Sequence, residues 1–143
     1  MTAYRFRRVL VPVDGSDGSR KALDCALSLA QAMGCEVTAL AVEGRLPAYA
    51  ASVGEVEEVK REKDEFFSNV LEQARAAGTE RGVELETCLI GGHAAEVITH
   101  YAKAHDHDLI VIGHRGHFLG DYLLGSTADR VAHHAHCPVM VVR

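Results

Sequence analysis

Gly113, Gly116 and Gly125, the last followed by Ser126 and Thr127, punctuate a stretch that begins at the unbroken apolar run Leu109 to Ile112 and leads into the helical pattern Thr127 to His134. The apolar run has the short, β-branched character of a buried parallel strand. A strand that opens through glycines into a helix start directs unpaired backbone N–H groups and the positive end of the helix dipole at one spot. A phosphate is the simplest anion that fits there. Gly113 and Gly116 are expected to supply positive φ and close backbone approach, and Gly125 to let a ligand oxygen reach the amides of Ser126 and Thr127. Ser126 or Thr127 is placed to cap the helix. A tight turn followed by an ordinary cap is the plainer use of the same residues. His114, Arg115 and His117 lie inside the loop, where their donors can meet phosphate oxygens, Arg115 bidentately, or point to solvent.

Other residues capable of chemistry lack the spacing it requires. Cys25, Cys35, Cys88 and Cys137 form no CxxC pair, so neither a zinc knuckle nor a thioredoxin-type motif is offered. Free buried thiols in a reducing cytoplasm are expected instead. His133 and His136 would share a face only if a helix persisted through His136, which Pro138 opposes. Imidazoles beside a helix C-terminus, favoured by its dipole, account for them more simply than structural zinc. GxxxxGK[ST] is absent, and no Ser-His-Asp arrangement or metal-ligand helix motif follows from the spacing.

The elements that must position the glycine loop alternate along the chain. Val9 to Val13 reads as the first strand, ending in the polar turn Asp14 to Ser19, so Asp14 stands at a strand tip. Ala22, Leu23, Ala26, Leu27, Ala30 and Met33 have helical spacing, with Gly34 as the stop. Glu36 to Glu43 is a second strand. A long connection over 44–54 precedes a helix whose apolar face is Val56, Val59, Phe66, Phe67, Val70, Leu71 and Ala74. The charge run on its other face reads as a solvated surface. Val83 to Ile90 is a third strand near a sheet edge, and Gly91 and Gly92 turn into a helix carrying Ala94, Val97, Ile98 and Tyr101. Cys137 to Arg143 closes the chain as a fifth strand, with Pro138 at its beginning. This alternation predicts an α/β fold with a parallel sheet, right-handed crossovers and helices on both faces. Ligands in such sheets bind beyond the strand carboxyl ends where the strand order reverses, which would bring Asp14, Val42 and Gly113 to one crevice.

A length of 143 residues suits one domain, 1–143, able to bury a core without staples. The formal net charge of -5 and the lack of basic runs argue against a general nucleic-acid or membrane binder. No stretch has the length of a membrane span, and the apolar run after the charged N-terminal residues is too short for a signal peptide.

The segments Val9 to Ser16, Asp108 to Gly113, the glycine loop and Cys137 to Val142 together resemble the universal stress protein family over essentially the whole chain. The resemblance implies a doubly wound, five-stranded parallel sheet in the order 3-2-1-4-5, of the adenine nucleotide alpha hydrolase-like kind. In one branch of the family it also implies ATP binding through Gly-x2-Gly-x9-Gly-Ser/Thr. By position, Gly113, Gly116, Gly125, Ser126 and Thr127 would hold ribose and phosphates, mainly through backbone N–H groups, with His114 and Arg115 between the first two glycines. Asp14 would face the ribose or a Mg²⁺ bound through the phosphates, the main chain of Val42 would meet the adenine edge, and Pro12 and Val13 would line the pocket. The loop departs from the pattern, with eight residues rather than nine between Gly116 and Gly125. Gly120 could absorb the difference, or the phosphate fit could shift toward ADP or AMP.

The functional expectation is an ATP-binding regulatory or stress-response protein, a homodimeric switch whose partners change with nucleotide. A nucleotide-free dimerisation and interaction module is the alternative. Slow ATP hydrolysis near Asp14 is a further possibility, although no residue is set out as a general base. A nucleotidyl transferase or pyrophosphatase of related architecture is disfavoured by the absence of an SGGxDS-like loop after the first strand. The apolar edge strand Val139 to Val142 is expected to pair with its twin across a two-fold axis, as in the family.

Overall fold

The structure is a computed structural model that describes residues 5–44, 53–114 and 124–143. In chain order its elements are β1 (Arg8–Pro12), α1 (Asp17–Met33), β2 (Glu36–Glu43), α2 (Val53–Glu80), β3 (Leu85–Gly91), α3 (Ala94–Ala104), β4 (Leu109–Gly113), α4 (Ser126–His134) and β5 (Val139–Val142). The strands form one parallel sheet in the order β3-β2-β1-β4-β5. β1 is central, with Val9 opposite Val37 on one side and Leu109 on the other.

Both sheet faces are covered, and the two-residue strand period sorts the core. Val9, Val11, Val37, Ala39, Leu109 and Val111 pack beneath α1 and α2 with Leu23, Ala26, Leu27, Leu71 and Ala74. Leu10, Leu40, Ile110 and Ile112 pack on the other face against Ile98, Ala102, Ala128 and Val131. The alanines of α1 let it lie close on the sheet, and Gly34 ends it in the left-handed region at φ 71°, its N–H donating to Ala30.

Several details differ from the sequence expectation, among them the start of α2 at Val53, inside the expected 44–54 connection, and β5, which spans Val139–Val142 rather than Cys137 to Arg143. β1 starts at Arg8 and stops before Val13, whose N–H crosses to the Leu40 carbonyl at 2.9 Å. β3 begins at Leu85 because the Val83 N–H is used to close α2, donating to Gly78 at 2.8 Å. Val59 and Phe66, expected on the buried face of α2, are 39% and 52% exposed. At the opposite pole from the strand carboxyl ends, the Asp108 carboxylate accepts from the Arg7 and Arg8 amides at 2.8 and 3.0 Å and pins β1 to the start of β4. No helix among the described residues is long and apolar enough to cross a membrane.

Candidate functional site

Beyond the carboxyl end of β1 the chain folds into a self-bonded turn. Asp14 accepts the Ser16 N–H on Oδ1 at 2.9 Å, and the Asp14 N–H donates to Ser19 Oγ at 3.3 Å. Ser16 Oγ caps α1 by accepting the Ser19 N–H at 3.2 Å, and Ser19 Oγ donates to the Ser16 carbonyl at 3.0 Å. Ser16 and Ser19 are buried while Asp14 remains exposed. The turn thus holds a carboxylate at the sheet's carboxyl edge on a fixed frame.

The helix after β4 is capped differently from the sequence expectation. Gly125, rather than Ser126 or Thr127, is the N-cap of α4, at φ -60° and ψ 148°, and no side chain caps the helix. Its N–H donates to the His114 carbonyl and its own carbonyl accepts from Asp129, each at 2.9 Å. Ser126, Thr127 and Ala128 therefore form the first helical turn, whose N–H groups have no acceptor within the helix. α3 starts in the same way at His93, with no side-chain cap.

These features meet around a cavity of about 310 Å³. Asp14, Ser16 and Ser19 stand on one wall, the first turn of α4 with Gly113 and Gly125 on another, and Ala94 and Ile98 of α3 on a third. Pro12, Val13, Leu40, Val42 and Ile112 supply apolar lining. One cavity therefore carries an apolar floor and two helix starts without side-chain caps. Such starts concentrate N–H donors and positive dipole ends, an arrangement suited to an anionic ligand with a flat apolar body.

Of the residues singled out from the sequence, Pro12, Val13, Asp14, Val42, Gly113, Gly125, Ser126 and Thr127 line this cavity. His114 is buried and is not among the lining residues; its N–H donates to Val142 at 2.7 Å, tying β4 to β5. Arg115, Gly116, His117 and Gly120 lie outside the described residues. Gly113 does not take the positive φ expected of it. Its lack of a side chain serves α1 instead, since a Cβ there would stand 2.7 Å from the Gly18 carbonyl carbon and oxygen.

The lining residues Ser16, Ser19, Ala94 and Ile98 were not singled out from the sequence. Their signals were present in the Ser-x2-Ser spacing of a helix start and in Ala94, two positions after Gly92, with Ile98 one turn later. Just past Val42, burial and a hydrogen bond with Asp64 raise the Glu43 carboxyl above the usual glutamate range, and the same bond lowers Asp64. Among the described residues no group of three or more His, Cys, Asp or Glu side chains converges to hold a metal ion.

Comparison with known proteins agrees with this architecture. The profile described as the universal stress protein family matches residues 5–143. Universal stress protein YxiE of Bacillus subtilis is 34% identical, covering 96% of this chain and 99% of that protein. The structure of universal stress protein UspA from Lactobacillus plantarum superposes with a TM-score of 0.85 at 28% identity, covering 99% of this chain and 100% of that one. Two further structures share the fold at lower identity. One is a universal stress protein in complex with cAMP, with a TM-score of 0.77 at 23% identity, covering 98% of this chain and 99% of that one. The other is a family protein from Arabidopsis thaliana with AMP bound, with a TM-score of 0.73 at 22% identity, covering 95% of this chain and 90% of that one.

Proposed function

Because the chain belongs to the universal stress protein family, we propose that it is an adenine-nucleotide-binding regulatory protein, with ATP as the leading ligand, acting as a homodimeric switch. The observation that carries this reading is the convergence of two helix starts without side-chain caps and the exposed Asp14 on one cavity. AMP and cAMP bound by structural neighbours support the adenine nucleotide as its occupant. In this reading the N–H groups of Ser126, Thr127 and Ala128 bind phosphate oxygens. The adenine lies against Val42, Leu40 and Ile98 and takes hydrogen bonds from the β2 main chain, and Arg115 and Gly116 remain phosphate-binding candidates on their sequence positions alone. Asp14 faces the ribose, or a Mg²⁺ that the phosphates carry, for which a single carboxylate beside phosphate oxygens is a common ligand set.

Freshly purified protein, denatured without added nucleotide, should release ATP, ADP or AMP identifiable by mass. Titration calorimetry with ATP and Mg²⁺ should then give saturable binding to stripped protein. Gly125→Val is the matching mutation. The Gly125 dihedrals are open to any L-residue, so the fold should be spared while a branched side chain crowds the phosphate end. An affinity loss of at least about tenfold, near 1.4 kcal/mol, is expected. Unaltered affinity in a folded Gly125→Val protein would remove the phosphate assignment.

A further inference from the structure

Asp14 is the sole charged side chain among the described residues that line the cavity at the sheet's carboxyl edge. Its placement therefore decides where a ligand can meet a carboxylate. In a capping box the side chain at the third helical position returns to the N–H of the N-cap. Ser19 holds that position in α1, with Ser16 as the N-cap, but the Ser16 N–H is already taken by Asp14 Oδ1 at 2.9 Å. The Ser19 hydroxyl reaches further back instead. It accepts the Asp14 N–H at 3.3 Å while donating to the Ser16 carbonyl at 3.0 Å, so one hydroxyl bridges both sides of the turn as acceptor and donor. Ser19 is 7% exposed, which leaves water little access to replace it.

These bonds hold the Asp14 backbone between two elements. Val13, the residue before it, donates its N–H to the Leu40 carbonyl of β2 at 2.9 Å, and Ser19 ties the Asp14 N–H to α1. Gly15, the residue after it, turns at φ 83° with α2 close behind, where an added Cβ would lie 3.1 Å from Val70 Cγ2 and 3.4 Å from Phe66 Cζ. Within the carboxylate, Oδ1 is committed to Ser16 and Oδ2 takes no bond in the turn. One carboxylate oxygen is left for a ligand, and a locked backbone presents it without an ordering cost at the moment of binding.

We propose, on the basis of the nucleotide reading of this cavity, that Ser19 is a positioning residue of the site, whose hydroxyl fixes the Asp14 backbone and so aims the Asp14 carboxylate. Ser19 also borders the cavity, so direct contact with the ligand is the competing role. The two roles separate by whether the effect of Ser19 runs through Asp14.

Titration calorimetry with ATP and Mg²⁺ on the full chain compares the parent with Asp14→Ala, Ser19→Ala and the two substitutions combined. Asp14→Ala should lower the affinity at least about tenfold, and Ser19→Ala about three- to tenfold. In the Asp14→Ala background Ser19→Ala should cost less than about twofold more, because no carboxylate remains to be aimed. Ser19→Thr keeps the hydroxyl and has two cavities beside it to take the added methyl, so it should recover most of the affinity. The residue 19 N–H still reaches Ser16 Oγ in every variant, so α1 keeps its cap, and urea midpoints check that each protein is folded. Losses that add in the combined variant, unchanged affinity in Asp14→Ala or in Ser19→Ala, or equal losses in Ser19→Ala and Ser19→Thr would overturn the proposal while leaving nucleotide binding established. A folded parent that binds neither ATP nor AMP would overturn the nucleotide reading, and the role of Ser19 with it.

Discussion

A methyl group added at Gly113 would sit 2.7 Å from the carbonyl carbon and oxygen of Gly18 and 3.1 Å from the Ser19 nitrogen. All three atoms are backbone, so nothing flexible can step aside. Gly113→Ala should therefore destabilise the protein by about 1–3 kcal/mol, read as a lowered urea midpoint with unchanged slope. Gly125→Val, at an N-cap where glycine is preferred to valine, should cost about 1 kcal/mol or less and leave the protein folded. In the sequence the two glycines look alike, as parts of one loop. A glycine's spelling does not reveal whether the atom that needs its space belongs to the chain or to a ligand. Asp14 was legible because a carboxylate just past an apolar run can only stand at a strand tip. Ser16 and Ser19 were not singled out because their capping bonds hide that they also face the cavity.

Among the elements, β2 was read at its observed limits and α1 stops at the expected Gly34, because periodicity and a C-terminal glycine act locally. The cap of α4, expected at Ser126 or Thr127, lies one or two residues earlier, since Gly125 already has the extended dihedrals and backbone partners of an N-cap. The exposure of Val59 and Phe66 escaped periodicity for a geometric reason. At about 1.5 Å per residue α2 runs to about 42 Å, whereas an eight-residue strand such as β2 reaches about 26 Å. The sheet cannot cover the whole stripe.

The start of β4 carries a pH dependence of its own. His107 is 2% exposed, its Nδ1 is buried without a partner, and its ring lies 5.6 Å from that of Tyr101. Burial first, then the charges of Arg8 and His105, push its pKa down to about 4 from 6.5. The unfolded chain binds this proton more readily, so the contribution is complete above about pH 6.5 and is lost as pH falls toward 4. The loss is on the order of 2–3 kcal/mol. Urea midpoints measured between those limits should fall with acid, and His107→Phe should flatten the slope.

For the whole molecule, the strand order leaves β5 at an edge with all four of its residues half-buried and apolar. Such an edge is an invitation to pairing. Under the proposed homodimer, removing residues 138–143 should give monomer or aggregate in light scattering, and a truncated chain that formed a stable dimer would exclude this edge as the interface. The order also has a consequence in time. β1 is the first strand made, yet one neighbour is β4, and the Asp108 carboxylate that pins Arg7 and Arg8 is separated from them by 101 and 100 residues. At a synthesis rate of about 5–20 residues per second, the central strand waits roughly 5–20 s with one edge unpartnered. During that interval the nascent chain presents Val9, Leu10 and Val11 to whatever else is emerging nearby, and the length of the wait is set by the topology.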